Sequence, residues 1–91
     1  MDLEGMANIL RALGHPTRLM IISELIKGQR CVGEMESILH TSQANTSQHL
    51  AILKTSGIVD CRHIGNTRCY FLKEPGRLEG ILERLEGYIT K

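Results

Sequence analysis

The spacing of apolar residues departs from the helical period in one segment of this 91-residue chain, and that segment limits the fold more than any other feature. Over most of the chain apolar residues recur every three or four positions, the period of a helix with one buried face. In 58–63 and 67–72 they follow the period of a strand instead, and Gly65 and Asn66 between them suit a tight turn. Because a two-stranded hairpin is barely stable alone, it must pack on the helices.

Five helices are predicted from the apolar stripes and from the residues that suit helix ends. In order, they are one ending at Gly14, one from His15 and Pro16 to Gly28, one from Val32 to Leu39, one from the cap Ser42 to Thr55, and one opened by Pro75. Aromatic residues make up only 3% of the chain, so the core must be largely aliphatic, which favours helices over a sheet sandwich. We therefore expect residues 1–91 to form one small, mainly helical domain.

The fourth helix lies in "TSQANTSQHLAILKTSGIV", residues 41 to 59, and its two sides differ in character. At 100 degrees per residue the inner side carries Thr46, His49, Leu50 and Leu53. The outer side carries Ala44, Ser47, Gln48, Ala51 and Thr55. An ordinary solvated face would carry Glu and Lys pairs. Small, uncharged side chains instead suit close approach to another surface.

The formal net charge of +1 argues against a strongly basic nucleic-acid binder, but the distribution of charge is uneven. Within residues 41–73 there are four basic residues and one acidic residue, namely Lys54, Arg62, Arg68 and Lys73 against Asp60. A positive field on this segment indicates an anionic partner. A chance fluctuation of a few charges remains the alternative.

Three helices, a polar-faced helix after a short turn, and a basic hairpin follow the order of a winged helix-turn-helix, α-α-α-α-β-β-α. A helix fits the major groove of DNA, where Gln and Asn amides can bond adenine and hydroxyls can bond several bases. The predicted recognition-helix contacts are Ser42, Gln43, Ala44, Asn45, Ser47, Gln48 and Lys54. The predicted wing contacts are Arg62, His63, Asn66 and Arg68.

Four strings resemble the ArsR/SmtB family of bacterial and archaeal repressors in their order and spacing. They are "ALGHPTRLMIISEL", "CVGEM", "SQANTSQHLAILKTSGIV" and "RHIGNTRCYFL". The resemblance implies a homodimer that binds an inverted repeat in a double-stranded DNA operator and is released by an inducer, which the sequence does not identify. By the same resemblance, Gln43, Ala44, Ser47 and Gln48 match the positions of the family's recognition helix that face bases. The four predicted wing contacts match the family's wing. His49 matches a family position that lies half inside on the helical wheel, and we expect it to be packed rather than to contact DNA.

Apolar stripes on the first and last helices predict a dimer, because so small a chain cannot cover both with its own core. The predicted interface residues are Leu3, Met6, Leu10, Leu78, Ile81, Leu82 and Leu85. The alternative is that these residues only close the core of the monomer.

The cysteines are an odd number without close spacing, so reduced thiols are expected and a disulfide framework is not. A bond between Cys61 and Cys69 is improbable, because hairpin geometry puts their sulfurs on opposite faces. The resemblance implies thiolate metal sites with two cysteines one residue apart, but Gly33 stands where Cys31 would need its partner. The family's other site needs histidines in the last helix, which contains none, so no metal or cofactor is expected.

Two weaker alternatives concern Cys31. It is a candidate redox-sensing thiol, because Arg30 and a nearby helix start can lower its pKa. It could also contribute with His15 or His40 to an unusual metal site.

Other classes of function fit less well. The chain has no Gly-rich phosphate loop, nucleophile elbow or paired metal motif, so an enzyme is not expected. A winged helix that docks on another protein remains the rival to DNA binding. The acidic N-terminus lacks a signal-peptide pattern and no apolar run is long enough for a membrane span, so a cytoplasmic location without a membrane partner is expected.

Overall fold

The computed structural model describes residues 1–90 of the chain, and this part forms a mainly helical winged helix with a small antiparallel sheet. The elements are α1 (Leu3–Leu13), α2 (Pro16–Lys27), β1 (Arg30–Cys31), α3 (Val32–Leu39), α4 (Gln43–Thr55), β2 (Val59–Ile64), β3 (Thr67–Leu72) and α5 (Pro75–Ile89). The predicted fold class is confirmed, with one strand more than the sequence indicated. Among the helices in residues 1–90, none is both long and apolar enough to cross a membrane.

The helix boundaries follow from local capping. His15 is the N-cap of α2, and its Nδ1 accepts a hydrogen bond from the Thr17 amide at 3.1 Å. Ser42 is the N-cap of α4, and its hydroxyl oxygen accepts from the Asn45 amide at 3.1 Å. Gly57, just after α4, has a φ of 79°, a left-handed conformation that glycine adopts at little cost. These caps confirm the predicted helix starts and the glycine exit.

The hydrophobic core lies where α2, α3, α4 and the hairpin meet. Ile21, Ile22, Leu50 and Leu53 are completely buried there. The rest of the cluster comprises Ala12, Leu13, Leu25, Met35, Ile58, Val59, Tyr70, Leu72 and Leu78. Because Tyr70 is its one aromatic member, the expectation of a largely aliphatic core is confirmed.

The sheet has three strands in the order β1-β3-β2, so the sequence prediction of a two-stranded hairpin was incomplete. The hairpin itself is as predicted, with Cys61 opposite Tyr70 and Arg62 opposite Cys69. The additional strand β1 has only two residues, paired as Arg30 with Tyr70 and Cys31 with Cys69. A two-residue strand is too short to produce a visible alternation of apolar residues, and its partner is distant in sequence.

A disulfide bond joins Cys31 and Cys69, so the expectation of reduced thiols for these two residues was wrong. The two cysteines are 38 residues apart in sequence, but β1 places them directly opposite each other on neighbouring strands. Cys61 is the free cysteine within residues 1–90. The prediction that Cys61 and Cys69 are not bonded to each other is therefore confirmed.

Reducing this disulfide should lower the free energy of unfolding by about 3 to 4 kcal/mol, because a crosslink that closes a loop of this length restricts the unfolded chain. Urea unfolding with and without a reductant measures the difference. A Cys61→Ser variant is the matched control and should show the same dependence on reductant. Equal stability of the reduced and oxidised forms would contradict the expectation.

Candidate nucleic-acid interface

The outer face of α4 is free of cover by the rest of the protomer. Thr46, His49, Leu50 and Leu53 are the buried residues of the helix, as predicted for its inner side. The predicted outer residues are all exposed, namely Ala44, Ser47, Gln48, Ala51 and Thr55, together with Gln43. The helix therefore presents to solvent a surface of amides, hydroxyls and methyl groups without a charge in its first three turns.

The start of α4 is organised by its own side chains. Asn45 donates a hydrogen bond from Nδ2 to the Thr41 hydroxyl oxygen at 2.9 Å, while Ser42 caps the helix. Within residues 1–90 the side chains of Gln43, Ser47 and Gln48 have no hydrogen-bond partner. These three side chains can therefore bond a ligand without first breaking an internal contact.

Arg18 connects the inner side of α4 to the first two helices. Its Nε donates a hydrogen bond to the carbonyl oxygen of Ala12 at 2.6 Å. This bond pairs one of the carbonyl groups that lack a partner within the helix at the C-terminal end of α1. Its Nη1 lies 3.1 Å from Nδ1 of His49, and because a guanidinium can only donate, that histidine nitrogen is the acceptor. The His49 ring also packs on His15, with a centroid separation of 4.6 Å. At 9% exposure His49 is a packed residue, as predicted.

This environment disfavours a charged His49. Burial is the main cause that lowers the pKa of His49 below its ordinary value, and the neighbouring His15 and Arg18 lower it further. A neutral imidazole is also what the hydrogen bond from Arg18 requires. The contact that orients α4 relative to α2 thus depends on His49 remaining unprotonated.

A cleft of about 290 Å³ separates α4 from the hairpin, and residues predicted independently on the two elements line it together. Its full lining is Val32, Gln43, Ser47, His63, Asn66, Thr67, Arg68 and Tyr70. Hydrogen bonding with the Tyr70 side chain raises the pKa of the Arg68 guanidinium, which stays charged. The hairpin thus brings a cation, an imidazole and an amide alongside the first turns of α4.

Arg62 lies elsewhere. His63 is paired with Arg68 across the hairpin, and both line the cleft. Because side chains alternate between the faces of a strand, Arg62 points to the opposite face. There its guanidinium carbon lies 4.5 Å from the centroid of the Phe71 ring, which is a cation–π contact. The wing residues predicted together are therefore divided between two faces, while Lys54 is exposed near the far end of α4.

The predicted dimer residues also fall into two groups. Leu3 is 70% exposed and Leu10 is 58% exposed on α1, and Met6, Ile81 and Leu85 are exposed as well. Leu78, by contrast, is 8% exposed in the core, and Leu82 packs against that core. The exposed apolar surface of α5 continues at Tyr88 and Ile89, neither of which is among the predicted interface residues.

Metal ligands do not cluster in the part of the chain that the structure describes. No group of three or more His, Cys, Asp or Glu side chains in residues 1–90 could hold an ion. Cys31, the one candidate sensor thiol, is bonded to Cys69.

The order of elements agrees with comparisons to known proteins. A family model described as "Bacterial regulatory protein, arsR family" matches residues 15–60, half of the chain. The chain belongs to this arsR family. The HTH-type transcriptional repressor SmtB of Mycobacterium tuberculosis is 40% identical over 72 residues, which are 79% of this chain. The alignment covers 53% of SmtB, so the chain spans about half the length of that curated relative.

Two solved structures of similar proteins have the same fold. HlyU from Vibrio cholerae superposes with a TM-score of 0.81 at 34% identity, and the match covers 93% of this chain and 97% of HlyU. The homodimeric winged helix-turn-helix DNA-binding domain of Mb0332 from Mycobacterium bovis gives a TM-score of 0.83 at 25% identity. That match covers 93% of this chain and 81% of the Mb0332 chain. The winged-helix arrangement is therefore the one found in solved relatives.

Sequence reasoning did not identify Arg18 or Cys69 in this arsR-family chain as residues that position the site. The string "HPTR" did mark the start of α2, and a cation just after a helix end is a weak sign of carbonyl capping. The contact between Arg18 and His49 spans 31 residues, so only the folded chain shows it. Cys69 was not identified because its partner strand β1 was not predicted.

The buried, neutral His49 predicts that stability falls in acid. The unfolded chain takes up a proton near the ordinary histidine pKa of 6.5, whereas the folded chain does so only at a lower pH. The His49 contribution to stability is therefore complete above pH 6.5 and is lost as the pH falls through the lowered pKa. Urea unfolding between pH 7.5 and pH 5 measures this slope. A His49→Gln variant should have a shallower slope, and an unchanged slope would contradict the role of His49.

Proposed function

We propose that residues 1–91 act as one winged helix-turn-helix unit of a transcriptional repressor that binds an inverted-repeat operator in double-stranded DNA as a homodimer. One observation carries this proposal: the exposed, uncharged face of α4 shares a cleft with His63, Asn66 and Arg68 of the hairpin. Membership of the arsR family supports it, as does the repressor SmtB among the relatives. Release of the operator by an effector belongs to the same proposal.

In this arrangement α4 enters the major groove. The groove is wide enough for a helix whose side chains are short, and Gln43 and Gln48 offer amides that can form paired hydrogen bonds with adenine. Ser47 adds a hydroxyl that can donate or accept. Ala44 leaves room for a close approach and can contact a thymine methyl group. The bases would thus be read by the part of α4 that has no internal partners.

The hairpin and the ends of α4 would bind the DNA backbone. Arg68 and His63 on the cleft side of the wing can contact phosphates, and Asn66 at the turn can enter the neighbouring minor groove. Lys54 extends the positive surface at the far end of α4. Ser42 and the free amides of the first turn form a further anion site. These contacts position the protein and give no direct sequence information.

A second protomer completes the site. The apolar residues that remain exposed on α1 and α5, above all Leu3, Leu10 and Leu85, would be buried by pairing with a copy of the same chain. The solved relative Mb0332 is described as homodimeric. Two-fold pairing would place the two α4 helices about 34 Å apart, which is one turn of DNA. Leu78 and Leu82 belong mainly to the protomer core and contribute less to this contact.

The two faces of the wing give a matched test of DNA binding. Arg68→Gln and Arg62→Gln remove the same charge, but only Arg68 lies on the cleft side. We expect Arg68→Gln to make the plot of log affinity against log salt shallower, by about one unit of slope, and to weaken binding to all DNA sequences alike. Arg62→Gln should change this slope less. Fluorescence anisotropy with a duplex from upstream of the chain's own gene measures both.

Gln48→Ala should instead cost about 1 to 3 kcal/mol of binding free energy at particular base pairs only.

The rival, a winged helix that docks on protein, makes the opposite prediction. DNA affinity that is absent, or that does not depend on salt, would overturn the proposed function. Equal effects of the two arginine substitutions would contradict the assignment of DNA contact to the cleft side of the wing alone.

Dimer formation can be tested separately from DNA binding. Leu10→Lys puts a charge into the proposed interface and should weaken the dimer by at least about 2 kcal/mol, because a buried leucine side chain contributes about that much. Met20→Lys is the control, since Met20 on α2 is also half exposed but lies outside the α1 and α5 stripes. Sedimentation equilibrium measures both. A wild-type chain that stays monomeric at micromolar concentration would refute the dimer.

A further inference from the structure

The crosslink between Cys31 and Cys69 joins two parts of the chain that the proposed function uses together. Cys31 ends β1 and is also the N-cap of α3, the helix that precedes α4 across a three-residue turn. Cys69 lies in the middle of β3, the central strand of the sheet and one half of the wing. The bond therefore connects the helix-turn-helix segment to the wing.

The bond lies directly behind the cleft that faces α4. Arg68 and Tyr70, the two neighbours of Cys69, line the cleft, and so does Val32, the neighbour of Cys31. Because successive side chains of a strand point to opposite faces, the Cys69 sulfur lies on the reverse side of the sheet. Arg62 is paired with Cys69 and lies on that reverse side too. A change at the sulfurs can therefore alter the width of the cleft without touching its lining.

Apart from the disulfide, few interactions hold β1 against β3. The pairing of β1 with β3 consists of two residue pairs, Arg30 with Tyr70 and Cys31 with Cys69. The Cys31 amide donates to the Glu34 carboxylate at 2.8 Å, but that contact stays within α3 and does not reach the wing. Tyr70 and Leu72 keep the base of the hairpin in the core. Loss of the covalent bond would leave only a two-residue ladder to hold the start of α3 against the wing at Cys69, and so short a ladder is weak.

We propose that the Cys31–Cys69 pair is a redox-controlled crosslink that sets the position of the wing relative to α4 and so controls DNA affinity. The disulfide form holds Gln43 and Ser47 in one cleft with His63 and Arg68, and it is the form that binds DNA tightly. The dithiol form binds weakly, because DNA must then order the wing at the cost of conformational entropy. This inference rests on the proposed function and names a regulator of it, namely the thiol–disulfide balance of the surroundings.

The chemistry is exchange with low-molecular-weight thiols and their disulfides. Cys31 is partly exposed, whereas Cys69 is 0% exposed, so an incoming thiolate attacks the Cys31 sulfur. The bond between the two sulfurs breaks, and Cys69 leaves as a thiolate and takes up a proton. A second thiol then attacks the mixed disulfide, which releases Cys31 as a thiol and the small molecule as its disulfide. Two electrons and two protons enter the protein, and a small-molecule disulfide reverses both steps.

The test compares DNA binding by the oxidised and reduced forms of the whole chain. The duplex from upstream of its own gene is titrated with and without dithiothreitol, while a thiol assay counts one free thiol per oxidised chain and three per reduced chain. Circular dichroism at the assay temperature verifies that the reduced chain stays folded. We expect reduction to weaken binding by about 5- to 10-fold, within the usual range of coupling between two sites. Cys61→Ser should respond like the wild type, and Cys31→Ser should bind weakly in both conditions.

Hydrogen exchange at the amides of residues 30–34 and 67–72 supplies a readout that needs no DNA. We expect exchange in both segments to become faster on reduction in the wild type and in Cys61→Ser. Three free thiols without reductant would overturn the crosslink, and unchanged exchange on reduction would overturn its hold on the wing. Equal DNA affinity of both forms would overturn its regulatory role alone. An absence of DNA binding in either form would overturn the proposed function and the regulatory role with it.

Discussion

Leu50 and Leu53 of α4 are fully buried in the cluster that also contains Ile21 and Ile22 of α2, and the remaining features of the site depend on that contact. Because the helix has a fixed period, burial of these side chains determines which residues face outward. The hydrogen bond from Arg18 to His49 adds a directional contact on the same side of α4. Gln43, Ser47 and Gln48 are therefore held on the surface by the packing of the buried side of the same helix.

The wing depends on a different constraint, the central place of β3 in the sheet. One edge of β3 pairs with β2 and forms the hairpin, and the other edge pairs with β1 and so reaches the start of α3. The alternation of side chains along β3 puts Arg68 and Tyr70 towards α4 and Cys69 towards the reverse face. A single strand thus presents the cation of the wing and carries the crosslink to the start of α3.

The sequence was informative wherever a structure depends on neighbours along the chain. The ends of α4, its buried and exposed sides and the pairing of the hairpin all follow from local periods and caps, so they could be predicted. The strand β1, the disulfide of Cys31 and the contact of Arg18 with His49 could not, because each joins residues 31 or more positions apart. Leu78 was predicted at the dimer interface but lies in the core of the protomer. An apolar stripe predicts that a helix face is buried, but it does not show whether the same chain or a second protomer covers that face.

The central claim, that the exposed face of α4 meets the major groove twice in one dimer, is tested most directly by hydroxyl-radical and methylation footprinting. The duplex would come from upstream of the chain's own gene. We predict two protected segments centred about 10 to 10.5 base pairs apart, with purine N7 positions shielded in the major groove of each half-site. Purine N7 positions that remain fully reactive beneath a protected backbone would contradict the claim, because α4 would then lie outside the groove.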